Sequence, residues 1–125
     1  MSGYQIQRIA VIGAGNMGSG IVQKIATEGF QVAMVDLDDQ RVSRGMDIIR
    51  TTLDEGIKRK IFHQDQVDEI LGRIEGTSDW DRLSDVDLVI EAVFEDLEVK
   101  RSVFQRLAGI CRENTIFATN TSSFY

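Results

Sequence analysis

Proline is absent from the 125 residues, and cysteine, histidine and tryptophan occur once each. With Cys111 as the single cysteine, neither an internal disulfide nor a cysteine-rich metal site can form. With His63 as the single histidine, a multi-histidine metal cluster is excluded, and no metal is expected. One thiol suits a reducing, cytoplasmic setting. No apolar run approaches the roughly 18 residues that a membrane span needs. The start, Met1–Gln7, is mixed and polar rather than basic and then apolar, unlike a secretory signal. Basic residues are in deficit: 14 Lys plus Arg against 20 Asp plus Glu leave a net charge of −6. That sign argues against a general nucleic-acid binder. What is present is 42% hydrophobic and 27% charged, a globular balance in a length that allows one domain over 1–125.

Apolar periodicity orders the chain. Ile9-Ala10-Val11-Ile12 reads as a strand buried on both faces, and Gly13-Ala14-Gly15-Asn16-Met17-Gly18 follows at once. From Met17 the apolar spacing is helical, through Ile21, Val22, Ile25 and Ala26, with Gly29 placed as a helix C-cap glycine. Val32 to Val35 is a second strand, closed by Asp36. Val42, Met46, Ile49, Leu53 and Ile57 make one long amphipathic helix. Gln64 to Leu71 makes a shorter one, so that Lys58 to His63 would turn a helical hairpin. Ile74 to Thr77 is a short strand, and Ser78 to Ser84 a loop in which Trp80 anchors packing. Asp87 to Val93 is a strand. Leu97, Phe104, Leu107, Ala108 and Cys111 mark one face of a helix, and Thr115 to Thr119 is a final strand. This order predicts an α/β fold, a doubly wound parallel sheet of Rossmann type with the hairpin inserted after the second strand.

Gly13, Gly15 and Gly18 form G-x-G-x-x-G. Alone the pattern is weak, but here it follows a strand, opens a helix and leads to a second strand ending in an acid, which is the context a dinucleotide site requires. Gly13 makes the tight turn, Gly15 lets backbone approach a pyrophosphate, and Gly18 lets helix pack on strand. The N–H groups of the helix start, with the dipole behind them, face the phosphates, so Ala14, Asn16 and Met17 join the three glycines as cofactor-binding positions. Asp36 lies 18 residues past Gly18, where a carboxylate bonds the ribose 2′-OH and repels a 2′-phosphate. NAD is therefore favoured over NADP. An exposed or helix-capping aspartate is the plainer reading, and Arg41 and Arg44 close by weigh slightly the other way.

Two further stretches invite a ligand. The strand from Asp87 empties into a segment with acids and Lys100, at the carboxyl end where open parallel sheets bind ligands, so Glu95 and Lys100 could meet a ribose or nicotinamide. An acidic helix start stabilised by its dipole explains it equally. Asn120-Thr121-Ser122-Ser123 offers polar contacts at a strand end, although a plain turn accounts for it better. Lys58-Arg59-Lys60 suits either a helix C-terminus or a phosphate anchor. His63 reads as a solvated side chain, and Cys111 as core.

Together these stretches resemble the N-terminal NAD-binding domain of the 3-hydroxyacyl-CoA dehydrogenases, in particular the 3-hydroxybutyryl-CoA dehydrogenase type. The carriers are IAVIGAGNMGSGI at 9–21, VAMVDLD at 32–38, DLVIEAVFEDLEVKRSVF at 87–104 and IFATNTSS at 116–123. The first is common to many Rossmann enzymes, while the third and fourth are more specific. The resemblance implies NAD on Gly13, Gly15, Gly18 and Asp36. It puts Glu95 and Lys100 on the nicotinamide half, and Ser122 on both NAD and the substrate oxygen. Asn120 becomes an active-site neighbour. It also implies coenzyme A contacts from the hairpin, at Thr52 and Arg59, each a conservative departure from the family residue.

The implied reaction is oxidation of an L-3-hydroxyacyl-CoA to the 3-ketoacyl-CoA, with hydride passing to NAD. The partners implied are acyl-CoA and a second copy of the chain in a full-length dimer, with no nucleic acid and no membrane. The family's catalytic histidine and glutamate lie beyond NTSS, as does its helical domain. These 125 residues are thus expected to be an incomplete enzyme, inert alone. A sugar-acid dehydrogenase of gulonate type and a stand-alone dinucleotide-binding module are the rival readings.

Overall fold

The computed structural model describes residues 6–92 and 97–119. Their core is a five-stranded sheet in the order β3-β2-β1-β4-β5. The strands are β1 (Arg8–Ile12), β2 (Gln31–Val35), β3 (Ile74–Thr77), β4 (Leu88–Glu91) and β5 (Ile116–Thr119). All four pairings are parallel. The helices are α1 (Asn16–Thr27), α2 (Asp39–Lys58), α3 (Gln64–Gly72) and α4 (Leu97–Ala108). Strand order reverses on either side of β1, and such a switch point opens a crevice at the strands' carboxyl ends.

The alternation of β1 explains the layers. Val11 faces α1, α2 and α3 through Val22, Ala26, Ile49, Leu53, Val67 and Ile70. Ala10 and Ile12 face the opposite layer, with Trp80, Leu83, Val89, Val103 and Leu107. Both faces being covered, β1 is apolar almost throughout, as central parallel strands must be. Asp38 caps α2 by accepting from the Arg41 N–H at 2.8 Å. Along α2, Val42, Ile49 and Leu53 are buried, as the four-three-four spacing predicts. α2 and α3 follow one another between β2 and β3. Gly56 and the chain after it shape their junction: the N–H groups of Ile61 and Phe62 donate to the Gly56 carbonyl at 2.8 and 3.2 Å. A Cβ on Gly56 would lie 2.4 Å from the Phe62 ring.

Three boundaries differ from the sequence reading. The segment Ser78–Ser84 is not plain loop. A 3-10 turn spans Trp80–Leu83, started by the Asp79 carboxylate accepting from the Asp81 N–H and held by burial of Trp80 and Leu83. Cys111 lies past the end of α4, where its N–H donates to the Leu107 carbonyl at 2.7 Å and its thiol reaches the Leu83 carbonyl at 3.5 Å. Burial pushes that thiol's pKa up. Asp87 and Thr115 stand just before β4 and β5 rather than within them, and each side chain makes a cross-link at the foot of the sheet.

Asp87 dominates that foot. One carboxylate oxygen accepts from the N–H groups of Gln7 and Arg8 at 2.8 and 2.9 Å, and the other pairs with the Arg112 guanidinium. The Asp87 carbonyl accepts from the Ile116 N–H at 2.9 Å, so a single residue ties the starts of β1, β4 and β5. Thr115 adds a hydroxyl bond to the Val86 carbonyl at 2.9 Å. Among the described residues, no helix is long and apolar enough to cross a membrane.

Removing the Asp87 carboxylate leaves two backbone donors and a guanidinium without their acceptor. Asp87→Ala is expected to lower unfolding free energy by about 2–3 kcal/mol. Asp85→Ala, which removes an exposed partner of Arg8, should change it by less than about 1 kcal/mol in the same thermal or urea denaturation.

Candidate functional site

The glycine turn leaves the end of β1 and bends sharply at Gly13, whose φ of 124° only glycine adopts readily. The Gly13 N–H donates to the Val35 carbonyl at 2.7 Å, joining the turn to the end of β2. Gly15 is the N-cap of α1, with φ of −75°, so its requirement is room rather than conformation. A Cβ there would meet nothing within 4 Å, so the front of the turn is open. Gly18 is the opposite case: a Cβ would fall 1.8 Å from the Gly13 carbonyl oxygen. Only hydrogen at Gly18 lets α1 seat on the turn. The Ser19 hydroxyl, buried, closes the helix start by donating to the Gly15 carbonyl at 2.7 Å. Asn16 and Met17 form the first helical turn, which carries no acidic side chain to compete for an anion.

Asp36 follows β2 and is buried. Its Oδ2 accepts from the Ala14 N–H at 2.9 Å, and its Oδ1 from the Leu37 N–H at 2.7 Å. A carboxylate has about four acceptor positions, so two backbone donors leave capacity for ligand hydroxyls. Asp36, Ala14, Gly15, Arg41 and Arg44 line one cavity of about 200 Å³. The sequence reading joined the acid and the glycine turn in one dinucleotide motif, and the fold brings Asp36 to one pocket with Ala14 and Gly15. Beside it runs a mostly apolar groove of about 300 Å³, lined in part by Leu37, Trp80, Val99, Val103 and Arg106. The Trp80 indole N–H reaches the Asp36 carbonyl at 3.3 Å, and the Arg106 guanidinium lies 4.1 Å from the indole centroid.

Gly45 escaped the sequence reading. A Cβ at this position would lie 2.6 Å from the Ala14 carbonyl oxygen and 2.8 Å from the Ala14 Cβ. α2 therefore rests directly on the glycine turn, which is why Arg44 borders the pocket. A glycine inside a strongly periodic helix is the signal that could have found it.

Lys100 is buried, and its ammonium pairs with Glu91 at 2.7 Å. Glu91, fully buried, ends β4 opposite Ile12, the residue before Gly13. The pair thus sits behind the glycine turn at the switch point. Glu91 was not singled out from sequence, although a lone acid in an apolar strand was the available signal. Glu95, Asn120 and Ser122 lie outside the described residues.

Thr52 and Arg59 come together on a separate cavity of about 350 Å³, with Glu55, Gly56, Ile61 and Phe62 among its walls. Along α2 that cavity begins at Thr51, seven residues beyond Arg44, about 10 Å at the rise of a helix. The Thr52 hydroxyl bonds back to the Ile48 carbonyl at 3.0 Å. His63 is exposed at the start of α3, its N–H bonded to the Gln66 side chain at 2.8 Å. Among the described residues no group of His, Cys, Asp and Glu could hold a metal ion.

Residues 8–125 match the family model described as 3-hydroxyacyl-CoA dehydrogenase, NAD binding domain. The chain is 38% identical over 118 residues to a 3-hydroxyadipyl-CoA dehydrogenase of Escherichia coli, covering 94% of the chain and 25% of that enzyme. It is 37% identical over 116 residues to a 3-hydroxybutyryl-CoA dehydrogenase of Clostridioides difficile, covering 93% of the chain and 41% of that enzyme. The crystal structure of an (S)-3-hydroxybutyryl-CoA dehydrogenase from Ralstonia eutropha superposes with a TM-score of 0.91 at 37% identity, over 94% of this chain and 42% of that one. The chain thus spans well under half the length of these relatives.

Breaking the buried pair one side at a time strands a charge. Glu91→Ala and Lys100→Met are each expected to cost about 3–5 kcal/mol of stability. The double variant should cost clearly less than their sum, a coupling that denaturation of all four proteins would measure.

Proposed function

The chain belongs to the family of NAD-binding domains of 3-hydroxyacyl-CoA dehydrogenases, and from that premise we propose that it is the nucleotide-binding part of an enzyme oxidising an L-3-hydroxyacyl-CoA to the 3-ketoacyl-CoA. The observation that carries the proposal is the Asp36 carboxylate, bonded to the Ala14 N–H and lining one cavity with the glycine turn.

Asp36 accepts the adenosine ribose hydroxyls. Gly13, Ala14, Gly15, Asn16, Met17 and Gly18 hold the pyrophosphate at the positive end of α1. The groove beside Leu37 takes the adenine, with Val99 and Val103 as apolar wall. The bound cofactor supplies the hydride acceptor, and the protein's share is to hold and orient it. Lys100, anchored by Glu91, sets charge at the crevice for the nicotinamide half, together with Glu95. Ser122 and Asn120 address the substrate oxygen. Thr52 and Arg59 receive coenzyme A on the cavity they share, the guanidinium suiting a phosphate. A second copy of the chain is the proposed partner in the whole enzyme, and the exposed Ile116 and Phe117 on β5 suit burial against further protein. The single thiol suits the cytoplasm.

Calorimetric titration with NADH and then NADPH tests the cofactor reading. NADH is expected to bind at least about tenfold more tightly, and Asp36→Asn to weaken NADH by about tenfold while narrowing the preference. Equal affinity for both cofactors in the unmodified chain would count against it. In a separate assay the 125 residues alone should show no turnover of acetoacetyl-CoA with NADH. Their only histidine, His63, is exposed at the start of α3 and lines neither the Asp36 pocket nor the groove beside it, so no histidine general base stands there.

A further inference from the structure

Two arginines, one helical turn apart on α2, border the pocket that Asp36 and the glycine turn form. Their situations differ. Arg41 is engaged by Asp38, which accepts from both its backbone N–H and its guanidinium. The Arg44 side chain has no hydrogen bond or ion pair among the described residues. Its place at the pocket is fixed by Gly45, which seats α2 against the Ala14 carbonyl. The acid facing these arginines keeps its formal charge, while each of its oxygens also accepts a backbone N–H. Counting Asp36, Asp38, Arg41 and Arg44, formal charge around the pocket is balanced rather than negative. A site selecting against a phosphate by one carboxylate alone would lack this counterweight.

We propose that Arg44 makes this pocket competent for a 2′-phosphorylated dinucleotide, so that the chain takes NADP(H) as a weaker second cofactor. The inference rests on the NAD-binding reading above. The planar guanidinium fork matches phosphate oxygens, and a charge-assisted bond in a half-enclosed cavity offsets part of the repulsion from Asp36. Asp38 limits the effect by keeping Arg41 occupied. The preference for NAD(H) is then a balance between Asp36 and Arg44 rather than an exclusion.

The test is calorimetric titration of the 125-residue chain and of Arg44→Ala with NADH, NADPH and 2′,5′-ADP, with circular dichroism confirming that the variant is folded. The unmodified chain is expected to bind NADPH measurably. Arg44→Ala should weaken NADPH and 2′,5′-ADP by about 10- to 100-fold while changing NADH by less than about threefold. Arg44→Lys should retain part of the NADPH affinity. A parallel loss of NADH and NADPH would place Arg44 on the pyrophosphate common to both and overturn the proposal, as would unchanged NADPH affinity. NADH binding without any NADPH binding overturns this inference alone. Absence of NADH binding overturns the NAD reading and this inference with it.

Discussion

The site depends on the two hydrogen bonds that the Asp36 carboxylate accepts from Ala14 and Leu37. The first joins the end of β2 to the turn that leaves β1, and the second holds the carboxylate against its own backbone, so the pocket's floor and its acidic wall are one unit. The Gly13 N–H, donating to the Val35 carbonyl, reinforces the same junction one residue earlier. A carboxylate held this way cannot swing to solvent, and its orientation in the pocket is set before any ligand arrives. Such preorganisation reduces the ordering cost of binding.

Around that unit, close approach matters more than flexibility. Gly18 and Gly45 each occupy a place where a methyl group would collide with backbone of the glycine turn. The first seats α1 on the turn that leaves β1. The second seats α2 and brings Arg44 to the pocket that Asp36 lines. Two helices thus press on one short turn from different directions, and the charge pattern of the pocket follows from that packing.

Strand β4 shows a second division of labour. Just before its start, Asp87 collects donors from β1 and pairs with Arg112; at its end, Glu91 pairs with Lys100. Buried ion pairs are weak evidence of net stabilisation, because desolvation offsets much of their attraction. Their value here is positional. At the foot, the Asp87–Arg112 pair is partly exposed and the backbone bonds to Asp87 align the strands, while the buried pair at the carboxyl end fixes an ammonium beside the switch point, where parallel sheets bind ligands.

The sequence by itself determined the Rossmann-type sheet and the nucleotide turn, because those signals are local. Ile9–Ile12, the glycine spacing and the α2 periodicity each act within a few residues of chain, and Asp36 stands at a fixed distance from them. The positions proposed for coenzyme A, Thr52 and Arg59, were suggested only by family resemblance, since nothing in their spacing distinguishes them from an exposed helix face. Tertiary structure alone decided that Glu91 meets Lys100, that Trp80 braces Asp36 from within a 3-10 turn, and that Gly45 carries α2 onto Ala14. Each of these contacts joins residues that lie on different elements of the fold, a pairing that periodicity does not register. Local pattern fixes which face of a helix or strand is apolar, but only the packed sheet determines which polar groups those faces bring together.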